Sequence, residues 1–228
     1  MKTIGLIGGT SWHSTIVYYR RINEMVGETI GTRGNPEMLI HSINIEIMRA
    51  QQVDEINNKY LEVSQELQDS GAKAIVICAN TPHMAYDFVQ PKIDIPILHI
   101  AEATGKEALR LGVSKVGLLG NKPTMTKGFI PEYLKNKFGI ETIIPQGKAL
   151  DKSHLFVSGE LTQGKFTSEA LQFFLEQIEQ LKAKGAQAVV LGCTELPILI
   201  SQDSLDIPLL ATTELHARMA ADFILGNS

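Results

Sequence analysis

Apolar and polar positions along the chain follow two alternating patterns. Short apolar runs rich in β-branched residues are separated by longer stretches whose apolar residues recur with the helical period. The short runs predict strands at 3–7, 38–43, 74–77, 97–99, 116–119, 141–144, 188–191 and 208–210. The longer stretches predict helices at 14–26, 53–69, 101–111, 125–138, 168–184 and 214–225. This alternation is typical of βα units around a mainly parallel sheet that helices cover on both faces.

The chain also repeats itself. TIGLIG at 3–8 corresponds to KVGLLG at 115–120, and DIPIL at 94–98 corresponds to DIPLL at 206–210, both at an offset of 112 residues. The two cysteines, Cys78 and Cys193, each close an apolar run that begins after a Gly-Ala pair. Three similar blocks in the same order predict two tandem halves. The alternative is that unrelated parallel strands resemble one another because all are β-branched and flanked by glycine.

We therefore predict an α/β fold of two pseudo-symmetric α/β lobes, each with a mainly parallel sheet flanked by helices. The first lobe is expected to span 1–97 together with a C-terminal helix at 212–228, and the second lobe 98–211. Ligands of open α/β sheets bind beyond the carboxyl ends of the strands. The expected active site lies between the lobes and draws on the loops that follow Ile7, Ile77, Leu119 and Leu191.

Composition narrows the classes of function. The chain has 228 residues, of which 44 % are hydrophobic and 20 % charged, and its formal net charge of −4 offers no attraction for nucleic acid or an anionic membrane. The apolar start is too short for a signal peptide, and no apolar run is long enough to cross a bilayer, so a cytoplasmic location is expected. In a reducing compartment the two cysteines are expected to be free thiols.

Both cysteines stand where chemistry is expected. Cys78-Ala79-Asn80-Thr81 follows a predicted strand and precedes a predicted helix, so its backbone N–H groups could hold a carboxylate and lower the pKa of the thiol. A single cysteine at a strand end is more often a small buried hydrophobe. Two thiols at equivalent positions of facing halves suit another chemistry: one takes a proton from a carbon stereocentre and the other delivers a proton to the opposite face. Racemisation is the natural outcome.

Three segments resemble a known family. Gly8-Gly9-Thr10-Ser11-Trp12, Cys78-Ala79-Asn80-Thr81 and Gly192-Cys193-Thr194-Glu195-Leu196 are similar to the signature segments of the cofactor-independent aspartate/glutamate racemase superfamily, in its aspartate and broad-specificity amino-acid racemase branch. The resemblance covers essentially the whole chain. It implies that Cys78 and Cys193 are the catalytic acid/bases, that no cofactor is used, and that a homodimer is possible.

The resemblance also implies a substrate-binding set. Asn80, Thr81 and Thr194 would hold the α-carboxylate or the amino group, and the remaining candidates are Gly9, Thr10, Thr124 and Glu195. Aspartate-specific members bind the side-chain carboxylate with an arginine after the second strand, where Arg49 stands, because a guanidinium suits a carboxylate. Against this, the lysine that assists in such enzymes falls near Thr162 or Lys165, and Thr162 cannot replace its charge, so the choice of aspartate depends on Arg49. Aspartate is therefore the expected substrate, with glutamate or a broader set of amino acids as the alternative.

Other functions stay open beside this one. A decarboxylase or maleate-type isomerase needs one reactive cysteine, an amino-acid-binding protein needs none, and a redox switch needs both within disulfide reach. The glycines at 5, 8 and 9 do not have dinucleotide-binding spacing. The six histidines show no metal-ligand spacing. His83 could tune Cys78, Glu195 could order the Cys193 turn or cap the next helix, and Thr124 could cap a helix.

Overall fold

The computed structural model describes residues 1–31 and 33–227. Thr32 and Ser228, the latter the last residue of the predicted first lobe, lie outside the described residues. The chain divides into two compact units, Met1–Ile100 with His216–Ser228, and Ala101–Leu215. None of the described helices has both the length and the apolar composition that a membrane span requires.

Each unit contains a four-stranded sheet in which every neighbouring pair is parallel. The order β2-β1-β3-β4 in the first unit recurs as β6-β5-β7-β8 in the second. The strands are β1 Ile4–Gly8, β2 Met38–Ser42, β3 Ile75–Ile77, β4 Ile97–Leu98, β5 Lys115–Gly120, β6 Glu141–Ile143, β7 Ala188–Gly192 and β8 Leu209–Ala211. The prediction of two α/β halves with parallel sheets is confirmed, and every predicted strand forms within one or two residues of its expected bounds.

Helices cover the sheets, and the described residues also form four short 3-10 segments. The helices are α1 Trp12–Ile30, α2 Glu46–Arg49, α3 Val53–Asp69, α4 Tyr86–Val89, α5 Ile100–Arg110, α6 Lys122–Thr126, α7 Pro131–Phe138, α8 Lys148–Gly159, α9 Ser168–Ala183, α10 Leu196–Leu199 and α11 Thr212–Leu225. The predicted helix at 125–138 is wrong in its extent, because Gly128 adopts φ +80° and Pro131, which has no N–H to donate, stands at the start of a separate helix. Helix α8 was not anticipated, since polar residues and flanking glycines blur its apolar period.

The alternation of side chains along the strands builds the core of the first unit. Ile4 and Leu6 point into a cluster with α1 and the end of α11, whereas Ile7 points into a cluster with α3. Gly5 lies on the α3 side, where a β-carbon would come within 3.0 Å of Leu67. In the second unit a β-carbon on Gly117 would come within 2.9 Å of Leu181 of α9. Equivalent glycines therefore allow equivalent helices, α3 and α9, to pack closely against the sheet of each unit.

A pair of equivalent glutamines repeats the same hydrogen bonds at the edge of each sheet. The Oε1 atom of Gln90 accepts the N–H of Ile97 at 2.6 Å, and Oε1 of Gln202 accepts the N–H of Leu209 at 2.7 Å. Their Nε2 atoms donate to the carbonyls of Ile95 at 3.2 Å and of Ile207 at 3.1 Å. Unrelated strands would share the β-branched pattern but not these side-chain contacts, so the repeat is a duplication of structure.

Candidate active site

Cys78 is the first residue after β3 and lies at the centre of a three-residue turn. Its N–H donates to the carbonyl of Ile7 at 2.9 Å, and the N–H of Ala79 donates back to the carbonyl of Ile77 at 2.9 Å. The carbonyl of Cys78 accepts the hydroxyl of Ser14, on α1, at 2.6 Å. The turn is therefore anchored to the neighbouring strand on one side and to α1 on the other.

Cys78 is buried, with 1 % of the residue exposed. Burial raises its pKa far above the usual value, because the thiolate loses its hydration. The expectation that the start of the next helix would lower this pKa is wrong. That helix is only a 3-10 segment, Thr81–Ala85, followed by the four-residue α4, and desolvation outweighs its weak dipole.

Gly9 and Thr10 occupy the loop beyond β1. Gly9 adopts φ +89°, and a β-carbon there would lie 2.0 Å from the carbonyl oxygen of Ile43, so only glycine fits. The hydroxyl of Thr10 is hydrogen-bonded to the phenol of Tyr60 at 2.7 Å. Tyr60 is buried in α3, and desolvation raises its pKa, with the neighbouring Cys78 adding to the shift. Thr10 and Cys78 therefore both influence the pKa of Tyr60.

Asn80 supplies a buried acceptor two residues after Cys78. The residue is 6 % exposed, and within the described part of the chain its side-chain Oδ1 atom accepts no hydrogen bond. An acceptor buried without a partner costs about 1–3 kcal/mol, which a ligand's donor can recover. Thr81, the next residue, is half-buried at the start of the 3-10 segment.

Cys193 follows β7 and has a carboxylate partner. The residue is 8 % exposed, and its thiol donates to Oε2 of Glu195 at 2.9 Å. Desolvation and then the Glu195 charge raise the pKa of Cys193 well above its usual value, while the backbone N–H groups of Glu195 and Leu196 lower it. The predicted effect of the turn is thus present here, but burial and the carboxylate outweigh it.

The other candidates of the second unit lie around this turn and the end of β5. Glu195 precedes α10, but its side chain makes no capping hydrogen bond, so its contact is with the Cys193 thiol. Thr194 is half-buried between them. Thr124 is fully buried inside α6, and the helix cap is Asn121, whose Oδ1 accepts the N–H of Thr124 at 2.9 Å. The expectation that Thr124 is an N-cap is therefore wrong.

The two cysteines differ by one position in strand register. In the sheets Ile7 pairs with Ile77, and Leu119 pairs with Leu191. Cys78 comes one residue after its paired position and Cys193 comes two residues after. Because side chains alternate between faces, Cys78 packs with α1 and α11, whereas Cys193 packs in the cluster that contains α9. The thiols are thus on opposite faces of equivalent sheets.

Arg49 lies in the one-turn helix α2 after β2. Its side chain is 59 % exposed, and Nη1 lies 2.6 Å from Oε1 of Glu46. An exposed pair of this kind contributes little to stability, so the guanidinium is available to exchange partners. Within the described residues there is no group of three or more His, Cys, Asp or Glu side chains placed to hold a metal ion.

Sequence reasoning missed three residues that touch the Cys78 region: Ser14, Tyr60 and His216. Ser14 and Tyr60 contact the turn or its neighbour Thr10, and His216 packs against the buried ring of His83. Each lies on a helix at a position that reads as core or helix start. No local pattern distinguishes them, because their partners are distant along the chain.

The family of this chain is shown by its similarity to known proteins. The profile of the Asp/Glu/hydantoin racemase family matches residues 7–220. The chain belongs to this family. A structure from Yersinia pestis, assigned as an Asp/Glu racemase, has a TM-score of 0.93 and 34 % identity, covering 99 % of this chain and 100 % of that one.

Two further relatives show the range of this racemase family. An aspartate racemase homologue from Pyrococcus horikoshii OT3 has a TM-score of 0.87 and 32 % identity, covering 99 % of this chain and 100 % of its own. The broad specificity amino-acid racemase RacX of Bacillus subtilis (strain 168) is 24 % identical over 221 residues, which are 94 % of this chain and 95 % of RacX. The protein is accordingly an amino-acid racemase, an isomerase, and the family leaves its substrate open.

Proposed function

We propose that the protein interconverts L- and D-aspartate without a cofactor, with Cys78 and Cys193 as the two catalytic acid/bases. The observation that carries the proposal is a pair of free, buried thiols at the carboxyl ends of matching strands. One such thiol is unremarkable in a core. Two of them, each in a turn with polar side chains, suit a reaction that needs two acid/base groups.

The reaction transfers two protons. One cysteine, as thiolate, takes the α-proton of the amino acid and becomes a thiol, and the electron pair left on the α-carbon delocalises into the carboxylate. The other cysteine, as thiol, gives its proton to the opposite face of the carbon and becomes a thiolate. The product has inverted configuration, the two cysteines have exchanged protonation states, and the reverse reaction starts from there.

The environments of the thiols suit this chemistry. The α-proton of an amino acid is a very weak acid, so a base with a raised pKa is a better match than an ordinary thiolate. Burial raises the pKa of both cysteines. The carboxylate of Glu195 accepts a hydrogen bond from the Cys193 thiol and so favours its protonated form.

The proposed binding residues are polar groups in the two turns that carry the cysteines. The buried, unpartnered Oδ1 of Asn80 suits the α-ammonium group of the substrate, which brings donors and positive charge. The hydroxyls of Thr81 and Thr194 can donate to the α-carboxylate, where charge develops as the proton leaves. Gly9 has no side chain, so the backbone of the loop after β1 can approach the substrate as closely as it approaches the backbone of Ile43.

Aspartate is proposed on two grounds. Arg49 follows β2 as the resemblance requires, and its guanidinium can exchange Glu46 for the side-chain carboxylate of a substrate. The homologue from Pyrococcus horikoshii OT3 is similar over its full length. The similarity to RacX, equally complete, favours a broader specificity as the second candidate.

The decisive experiment follows the α-proton in D2O. The protein is incubated separately with L-aspartate, D-aspartate, L-glutamate and a set of neutral amino acids, while NMR records loss of the α-proton and chiral chromatography records inversion. We expect exchange and inversion with both enantiomers of aspartate. Activity that is equal across the panel would instead establish the broad-specificity function. Absence of exchange with every amino acid, together with tight binding by calorimetry, would establish a binding protein.

A further inference from the structure

Three of the six histidines are buried in the first unit. His83, His99 and His216 are 1 %, 3 % and 0 % exposed, and their rings meet edge to face, with the centroid of His83 4.8 Å from His99 and 5.5 Å from His216. Buried imidazoles need hydrogen-bond partners for both ring nitrogens. The partners of His83 lie in the turn that carries Cys78.

The contacts of His83 define its protonation. Nδ1 lies 2.9 Å from the carbonyl oxygen of Ala79 and 3.2 Å from that of Asn80, and because both are acceptors, Nδ1 carries the proton and donates. Nε2 accepts the N–H of Ile100 at 3.2 Å and is therefore unprotonated. The ring is a neutral imidazole that joins the two residues after Cys78 to the first residue of α5.

A second layer supports this ring. Nε2 of His216 donates to the carbonyl of Leu98 at 2.7 Å, so its Nδ1 is unprotonated and accepts the phenol of Tyr18 at 2.8 Å. Desolvation lowers the pKa of His83 to about 4 and of His216 to about 3, the latter also because of His83. Both rings therefore stay neutral at physiological pH and keep these donor and acceptor directions.

We propose that His83 is a positioning residue, which holds Cys78 and Asn80 in place by donating its Nδ1 proton to the turn, with the Tyr18–His216 pair supporting its ring. The inference rests on the proposed function of Cys78. The hydroxyl of Ser14 fixes the carbonyl of Cys78, and His83 fixes the next two carbonyls. Without His83 the turn loses a side-chain anchor at Ala79 and Asn80, and the positions of the Cys78 thiol and the Asn80 amide are no longer fixed relative to each other.

The test uses three variants with matched chemistry. His83→Ala removes both nitrogens. His83→Asn places an amide donor near the position of Nδ1, whereas His83→Gln extends its amide toward the position of Nε2. Rates of alkylation by iodoacetamide are measured separately for Cys78 and Cys193 by peptide mass spectrometry, alongside kcat and KM for racemisation. Cys193, in the other unit, is the internal control.

We expect His83→Ala and His83→Gln to lower kcat about tenfold or more, since small displacements of an acid/base are costly. In both, alkylation of Cys78 should become several-fold faster while that of Cys193 is unchanged, and His83→Asn should restore both properties toward wild type. Phe174→Leu, a core change in the second unit, serves as a control for lowered stability and should leave the alkylation of Cys78 unchanged.

Two results would overturn the inference: an unchanged Cys78 alkylation rate in His83→Gln, or equal changes at both cysteines, which would mean general loosening. If His83→Ala does not fold, the comparison of the Asn and Gln variants decides alone. The alkylation measurement needs no turnover. A Cys78→Ser variant that retained full turnover would therefore defeat the proposed function and leave the positioning result separate from it.

Discussion

The thiol of Cys193 donates a hydrogen bond to the carboxylate of Glu195 across 2.9 Å, and both side chains are buried. Two groups that would both be negative when ionised thus share one apolar site. Removal of the thiol proton must overcome both burial and the neighbouring charge. No contact of this kind with a carboxylate is found for Cys78 among the described residues, where the pKa is raised by desolvation alone. The two thiols are therefore electrostatically unequal.

Glu195→Gln should make Cys193 more acidic. The amide can still accept the thiol hydrogen bond, but it carries no charge, so the Coulombic rise in the pKa disappears while burial remains. Alkylation of Cys193 at pH 8 should become faster, and that of Cys78 should not change. Site-resolved mass spectrometry measures both rates in one sample. An unaltered rate at Cys193 would show that the carboxylate does not control this thiol.

Cys78→Ser and Cys193→Ser should each abolish racemisation. A hydroxyl of similar size fits the turn but is too weak an acid to exchange protons with the substrate, so we expect losses on the order of 10²- to 10⁴-fold. Circular dichroism should show an unchanged fold. Chiral chromatography measures turnover in both directions. If only one cysteine proves essential, a one-cysteine reaction such as decarboxylation replaces the two-base mechanism.

Arg49→Ala should act on aspartate alone. Loss of a charge-assisted hydrogen bond to the side-chain carboxylate costs about 1.5–3 kcal/mol, which corresponds to roughly ten- to a hundredfold in kcat/KM. Turnover of neutral amino acids should be unchanged. Glu46→Gln is the matched control, because it removes the surface partner of Arg49 and keeps the guanidinium. An equal effect on every substrate would remove the basis for aspartate specificity.

Gly9→Ala and Gly27→Ala should change stability in opposite directions. At Gly9 a β-carbon would meet the Ile43 backbone at 2.0 Å in a left-handed conformation, so the loop must rearrange at a cost of several kcal/mol. At Gly27, within α1, nothing lies within 4 Å, and alanine should stabilise the helix by about 0.5–1 kcal/mol. Urea denaturation measures both. Equal effects would contradict the special conformation of Gly9.

Acid should destabilise the protein partly through His83. Its pKa is lowered from 6.5 to about 4 in the folded state, so between these values the unfolded chain binds a proton that the folded chain does not. Stability is therefore full above pH 6.5 and falls toward pH 4, by an amount on the order of 3 kcal/mol for this residue. Carboxylates titrate in the wild type and in His83→Asn alike.

The difference in stability between wild type and His83→Asn therefore gives the contribution of His83. The urea midpoint should fall less from pH 7 to pH 4 in His83→Asn than in wild type. A parallel decline in both would show that protonation of His83 does not contribute.

Local patterns were sufficient for the strands. Each strand is a short apolar run between turn residues, and the repeat at 112 residues predicted the two matching sheets. The long helices α3 and α9 were likewise predicted almost to the residue, because their apolar period is regular. The helix at 125–138 and α8 failed where Gly128, Pro131 and mixed polar positions interrupt that period.

The sequence was sufficient to find candidate site residues, because a predicted strand also predicts where its carboxyl end lies, and sites of parallel sheets lie at those ends. Cys78 and Cys193 fall at such ends once β3 and β7 are recognised. Their environments could not be found. The partners Ser14, Tyr60 and His216 come from helices α1, α3 and α11, and only folding brings the first unit's segments together.

Chain order and side-chain chemistry thus specified a duplicated α/β protein with a thiol after one central strand of each half. Tertiary structure decided what those thiols are. A one-residue difference in register sends them to opposite faces of their sheets, and burial raises their pKa values, where the sequence predicted lowered ones. The physical reason is that a pKa depends on solvation and on charges close in space, and neither is a property of neighbours along the chain.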